Sequence, residues 1–266
     1  MTISKDDDKS LEAFTRKIIL QNFAPQIGNL RSFIENDLQK TLEGFRLILS
    51  EFLSIGRDLA KVHGKVKTLE AAGFLPHKTM PWQSFDEPHD KDDIAKIVKD
   101  YYNANWGRIQ SEMEASIQLL NIDSDARLAF CEALRAHGLG MYRSVVRNLM
   151  CEVERLVRVE LANSDFGSRQ SQEFLSLIGH LPVGYTLDFD FGTWIYLRIS
   201  EHIYKSIKDP QERERFVQDP IPNRHAAIHG IICYDRFEHS LNTIILAHFL
   251  FHEVHLVKNR LSKPTA

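Results

Sequence analysis

The chain has 266 residues, enough for one large domain or two modest ones. Hydrophobic residues make up 43% of it and charged residues 26%, a balance that excludes a disordered chain, a collagen-like chain and a coiled-coil rod. Lys and Arg number 33 against 36 Asp and Glu, a net charge of −3, which disfavours a generic DNA-coating protein but leaves room for a local basic cleft.

Cys131, Cys151 and Cys233 are odd in number and lack CxxC spacing. A disulfide framework and a zinc finger are both disfavoured, and a reducing cytoplasm is the expected compartment. The start, Met1-Thr2-Ile3-Ser4-Lys5 followed by Asp6-Asp7-Asp8, has no apolar stretch, so no signal peptide is expected. The apolar run from Leu241 to Val257 contains His248, His252, Glu253 and His255, and reads as too short and too polar to cross a bilayer.

In chain order, apolar residues from Leu11 to about Leu69 recur at helical spacing, and no proline interrupts positions 26 to 75. Pro76, Pro81 and Pro88 then predict a loop pinned by Trp82, and the acidic run Asp86 to Asp93 reads as its solvated continuation. Helical spacing resumes at Ile94, Ile97 and Val98 towards Leu120, with Tyr101, Tyr102 and Trp106 read as core or interface. The capping residues of Asn121 to Asp125 predict a boundary between a helical region over 1–122, sensing or regulatory, and a domain over 123–266. A long helix starting near Ala126 carries the apolar stripe Leu139, Tyr142, Val145, Val146, Leu149, Val153, Leu156 and Val157. Its other side bears Arg143, Arg147, Glu154, Arg155 and Arg158, and Asn163 to Gly167 ends it. A hairpin or ordered loop is expected over 179–192 and a helix from Trp194 to Ser206. One more helix begins at Asn223, and a final helix runs from Phe237 to Asn259. The fold class is all-α, in two packed helical parts.

The segment Asp219-Pro220-Ile221-Pro222-Asn223-Arg224-His225-Ala226-Ala227-Ile228-His229-Gly230 concentrates the chemistry. Pro222 cannot continue a preceding helix, and Asn223 is a good N-cap. Arg224 in the first turn, His229 further on and a polarised helix start together describe an anion-binding site with a titratable group in it.

Arg224-x4-His229, with a polar residue after the Arg and a Gly after the His, resembles the R-x4-6-H motif of the HEPN superfamily. An earlier long helix with Tyr142…Leu149-x4-Glu154 and the following Tyr234 and Ser240-Leu241-Asn242 extend the likeness over about residues 125 to 260. The segment looks most like HEPN domains at the C-termini of prokaryotic defence proteins. The N-terminal 120 residues resemble nothing nameable. The resemblance implies a helical bundle and a metal-independent endoribonuclease, a toxin or abortive-infection effector. It further implies a homodimer whose motif helices face each other, with an antitoxin or sensor as a further partner and no cofactor. Arg224 and His229 would be catalytic, with Asn223, His225 and Glu154 in support. Metal-free RNA cleavage needs a base for the 2′-OH proton, an acid for the 5′-oxygen and cations for the phosphorane charge, which imidazole and guanidinium supply.

Each residue also has a plainer reading. Arg224 can be a solvated residue and His229 a core histidine, Asn223 only a cap, His225 a phosphate contact, and Glu154 a member of surface ion pairs. His248, His252 and His255 have metal-ligand spacing, yet His252-Glu253-Val254-His255-Leu256 falls one residue short of HExxH and nothing completes a site, so a packing or dimer face is expected and no metal. Two other functions compete: a non-catalytic HEPN module that binds RNA or nucleotide, and a helical scaffold in which the motif is coincidence.

Overall fold

Asp90 opens the first long helix, α1 (Lys91–Gln118), by accepting hydrogen bonds from the N–H groups of Asp92 and Asp93, both at 2.9 Å. Asp92 and Asp93 then complement the positive helix start. Part of the acidic run expected as a loop is therefore a cap and a first turn. The computed structural model describes residues 64–86, 90–161, 202–203 and 205–261, and among them every regular element is helical. The expected helices below residue 63, the hairpin over 179–192 and nearly all of the helix from Trp194 to Ser206 lie outside the described residues; Lys205 and Ser206 themselves are not helical.

The stripe Ile94, Val98, Tyr102, Ile109, Met113 and Ile117 is the buried face of α1. Asp123 caps the next helix, α2 (Ser124–Gly138), by accepting from the Ala126 N–H at 3.1 Å. Where a single long helix is predicted from Ala126 onwards, the chain breaks between α2 and α3 (Tyr142–Leu161). The reason is Gly140, at φ +73°. Its N–H donates to the His137 carbonyl, and the Met141 N–H reaches back to Ala136, each at 2.9 Å. This paired closure is the Schellman termination, which favours glycine at its left-handed position. Leu139, placed on the apolar stripe by its spacing, is consequently 77% exposed, whereas Val145, Val146, Leu149, Val153, Leu156 and Val157 are buried as expected.

A further helix, α4 (Pro210–Gln218), has no counterpart in the sequence expectations. Its start signal is Asp209-Pro210-x-Glu212. The Asp209 side chain accepts from the Glu212 N–H at 2.8 Å, proline occupies the first turn, and Glu212 reaches back to the Lys208 N–H at 2.9 Å. A short helix, α5 (Arg224–Ile228), precedes the last, α6 (Phe237–Leu261).

All described residues belong to one compact unit, His63–Ala266. The centre of the unit is α6, against which α1, α2 and α3 all pack. His239 to His248 are buried without interruption, the signature of a helix enclosed on every side. Phe237–Asn259 is long and apolar enough to cross a membrane, contrary to the expectation from its length and polarity; 78% of its most apolar window is buried inside the protein. Its apolar character serves the core.

Several polar groups in this core bond to one another or to backbone. Fully buried Asn242 accepts from the Leu75 N–H at 2.8 Å and donates to the carbonyls of Gly73 at 2.8 Å and Pro220 at 3.1 Å. The Pro220 ring lies against Gly73, 2.7 Å from where a β-carbon would sit, so only glycine fits there. Tyr102, Thr79, His77 and His248 form a chain with spacings of 2.6, 2.7 and 3.4 Å. The Thr79 N–H donates to His77 Nδ1, which puts the His77 ring proton on Nε2, facing His248. Burial lowers the His77 pKa to about 3 and that of His248 well below its ordinary value, so both rings are neutral. Of the histidines with metal-ligand spacing, His252 pairs with Ser116 at 3.0 Å and His255 accepts from the Asn121 N–H at 2.9 Å. Among the described residues no three His, Cys, Asp or Glu gather as metal ligands.

Glu253 stands apart. It is 3% exposed, its Oε2 has no hydrogen-bond partner, and burial raises its pKa from 4.5 to about 7. The folded state then holds a proton that the unfolded state releases between pH 4.5 and 7. Stability therefore declines as pH rises across that window, by about 3 kcal/mol at roughly 1.4 kcal/mol per pH unit. In urea titrations Glu253→Gln should lack this decline, and the stability difference between variant and wild type should grow in favour of the variant from pH 4.5 to pH 8.

Candidate functional site

Pro222 and Asn223 are buried, and the site is built outward from Asn223. Its side-chain oxygen accepts from the Ala226 N–H at 2.9 Å, and its amide nitrogen donates to the carbonyls of His202 and Lys205, each at 2.8 Å. Its backbone N–H donates to the hydroxyl of buried Tyr234 at 3.1 Å, and burial pushes that phenol up to about 12. Every polar atom of the Asn223 side chain is committed to structure, so it is a cap and an anchor, with nothing left to offer a substrate.

Arg224 begins α5 and leans on α3, the helix against which α5 packs. Its guanidinium pairs with one carboxylate oxygen of Glu154, while the other oxygen holds Arg158. The Arg224 and Glu154 side chains are 22% and 19% exposed, so this pair is shielded from solvent far more than Arg158, at 60%. Burial lowers the Arg224 pKa, and Glu154 supplies the opposite charge that compensates a half-buried cation. The guanidinium stays charged at any physiological pH. Glu154 thus forms ion pairs with both Arg158 and Arg224.

Five residues make α5 too short for a useful dipole, and the Ala226 amide in its first turn is already capped by Asn223, so the chemistry does not rest on a polarised helix start. The chemistry rests on side chains. His229 is the C-terminal cap residue of α5, exposed, with its ring 4.5 Å from that of half-buried His225. At roughly 100° per residue, Arg224 and His229 lie about 140° apart around the axis, whereas His225 and His229 share a side. The structure thus joins Arg224 to Glu154 and His225 to His229, as two adjoining pairs.

Sequence reasoning missed three neighbours. Arg147, Cys151, Glu154 and Arg158 step by four, three and four along α3, which sets them in one stripe. Arg147 lies against Gly230, its Nη2 3.4 Å from the position of a β-carbon there, and Cys151 is exposed beside it on the helix. Arg213 on α4 donates to the Ile231 carbonyl at 3.3 Å. The stripe on α3 was legible as a spacing; Arg213 was not, because α4 itself went unrecognised.

No family model matches the chain, and neither a curated protein nor a solved structure matches it.

Asn223→Ala should cost about 2–4 kcal/mol, since it removes a cap and strips partners from three buried or half-buried backbone groups. Tyr234→Phe should cost about 1–2 kcal/mol by leaving the Asn223 N–H without an acceptor. Denaturant unfolding of the two variants checks both, and losses below about 0.5 kcal/mol would show that the site is anchored elsewhere.

Proposed function

We propose that the chain is a metal-independent endoribonuclease of the HEPN type, acting in the cytoplasm as a toxin or abortive-infection effector. The observation that carries this reading is Arg224: a half-buried guanidinium, oriented by Glu154 across from α3, on a short helix whose other end presents the exposed imidazole of His229. In this reading the 2′-OH attacks the adjacent phosphorus and the bond to the 5′-oxygen breaks, giving a 2′,3′-cyclic phosphate and a 5′-hydroxyl. His229 transfers a proton, and Arg224 stabilises charge on the phosphorane. The angle of about 140° between Arg224 and His229 favours a homodimer, in which the Arg of one protomer faces the His of its partner across a two-fold axis.

A specific observation favours the runner-up, a non-catalytic module that binds RNA or nucleotide. Glu154 already occupies Arg224, and a guanidinium locked in an internal ion pair can be purely structural.

Incubation of purified protein with RNA in EDTA tests both. Cleavage to cyclic-phosphate ends should persist in EDTA and drop roughly 10²–10⁴-fold in His229→Ala. Arg224→Lys keeps the charge but loses the planar, two-pronged donor. Its single-turnover rate should fall roughly 10²-fold or more while RNA affinity changes little. RNA bound but left intact by the wild type selects the runner-up.

Light scattering at micromolar concentration should report a dimer, with an interface of about 1,600 Å² or more. An active monomer would sink the composite site.

A further inference from the structure

We propose that Arg147 and Arg213 are the substrate-holding residues of this site, and that a single-stranded RNA backbone lies across the turn formed by His229, Gly230 and Ile231. The inference rests on the nuclease reading for the identity of the polyanion, but its cations are two residues to which that reading assigns no role.

Arg147 approaches the turn from α3 and Arg213 from α4. The first sits 3.4 Å from the position of a β-carbon on Gly230, and the second donates to the Ile231 carbonyl at 3.3 Å. Between them the turn is open: Gly230 is exposed at φ +68° and has no side chain, and His229 before it is exposed. Charge pairing separates these two arginines from Arg155, Arg158 and Arg224. Arg155 is paired with Asp123 and Glu152, and Arg158 and Arg224 share Glu154. Arg147 and Arg213 are exposed, and among the described residues neither has a carboxylate partner. Of the five N–H donors on each guanidinium, Arg213 commits one to Ile231, which fixes its fork beside the turn and leaves the rest for phosphate oxygens. On a chain of net charge −3, two guanidinium groups without a carboxylate partner among the described residues, flanking an open backbone next to an imidazole, form a local anion-attracting surface. Arg224 then stabilises charge at the reacting phosphate, while Arg147 and Arg213 hold the strand.

The test uses the full chain and a 2′-O-methyl RNA oligonucleotide, which binds but cannot be cleaved through its 2′-oxygen. Fluorescence anisotropy is recorded over a range of salt concentrations for wild type, Arg147→Gln, Arg213→Gln, the double variant, and Lys99→Gln on α1 as a control. Both arginines are exposed, so neither substitution opens the core. Each single variant should bind about 10-fold more weakly, and the salt slope should fall by roughly 0.7 per arginine. Lys99→Gln should match wild type. A double variant within two-fold of wild type, with an unchanged salt slope, overturns the proposal, as does a wild type that does not bind at low salt. The unmodified RNA separates this from the nuclease reading. Arginine-dependent binding with intact RNA upholds the holding surface and removes the nuclease. Cleavage whose KM ignores Arg147 and Arg213 does the reverse.

Discussion

A single amide in the core helix joins three stretches of chain that are far apart in sequence. Asn242, in the second turn of α6, bonds to Gly73, Leu75 and Pro220 at once. A buried amide with one oxygen and two donors is costly when any of them is unmet, and here each meets a backbone group. The loop before α1 and the segment before α5 are thereby fixed to the same turn of α6. Pro220 resting on Gly73 completes the contact from the other side. The placement of the chemical groups on α5 follows from this tie, because only two residues separate Pro220 from Asn223.

Asn223 repeats the device one step further out. It collects His202, Lys205 and the first turn of α5, and Tyr234 holds its backbone from below. The two asparagines give α5 a rigid mount although five residues could not hold a helix by themselves. On that mount Arg224 meets Glu154, which bridges two cations and leaves the trio with a net positive charge. The imidazole of His229 at the other end remains exposed. Orientation and accessibility are thus divided between the two ends of one short helix.

The helices that were legible in the sequence are those whose burial and period agree. α1 follows its apolar spacing, α6 contains the apolar run from Leu241 to Val257, and Asp123 caps α2 where the run Asn121 to Asp125 indicated. The errors came from residues whose local signal was overruled or overlooked. Leu139 fits the apolar period, yet the left-handed Gly140 one position later ends the helix and turns Leu139 to solvent. Asp209-Pro210-x-Glu212 is a strong start signal, but the apolar content of α4 is confined to Phe216 and Val217, too little to show a period. At the site, the Glu154 spacing on α3 was readable, and so was the capping chemistry of Asn223. The approach of Arg147 to Gly230 was not, since it depends on how α5 and α3 cross, a tertiary fact that no local pattern encodes.

The enclosure of α6 also dictates when this unit can form during synthesis. Every described helix that packs against α6 lies earlier in the chain, and α6 supplies the surface that α1, α2 and α3 share. Until it emerges from the ribosome, those helices have apolar faces without a common partner, and the closing contacts span more than 150 residues, as between Leu75 and Asn242. Assembly is therefore late and nearly all-or-none. The mount for α5 appears in the same event as the core, so a partly made chain carries the residues of the site without its geometry.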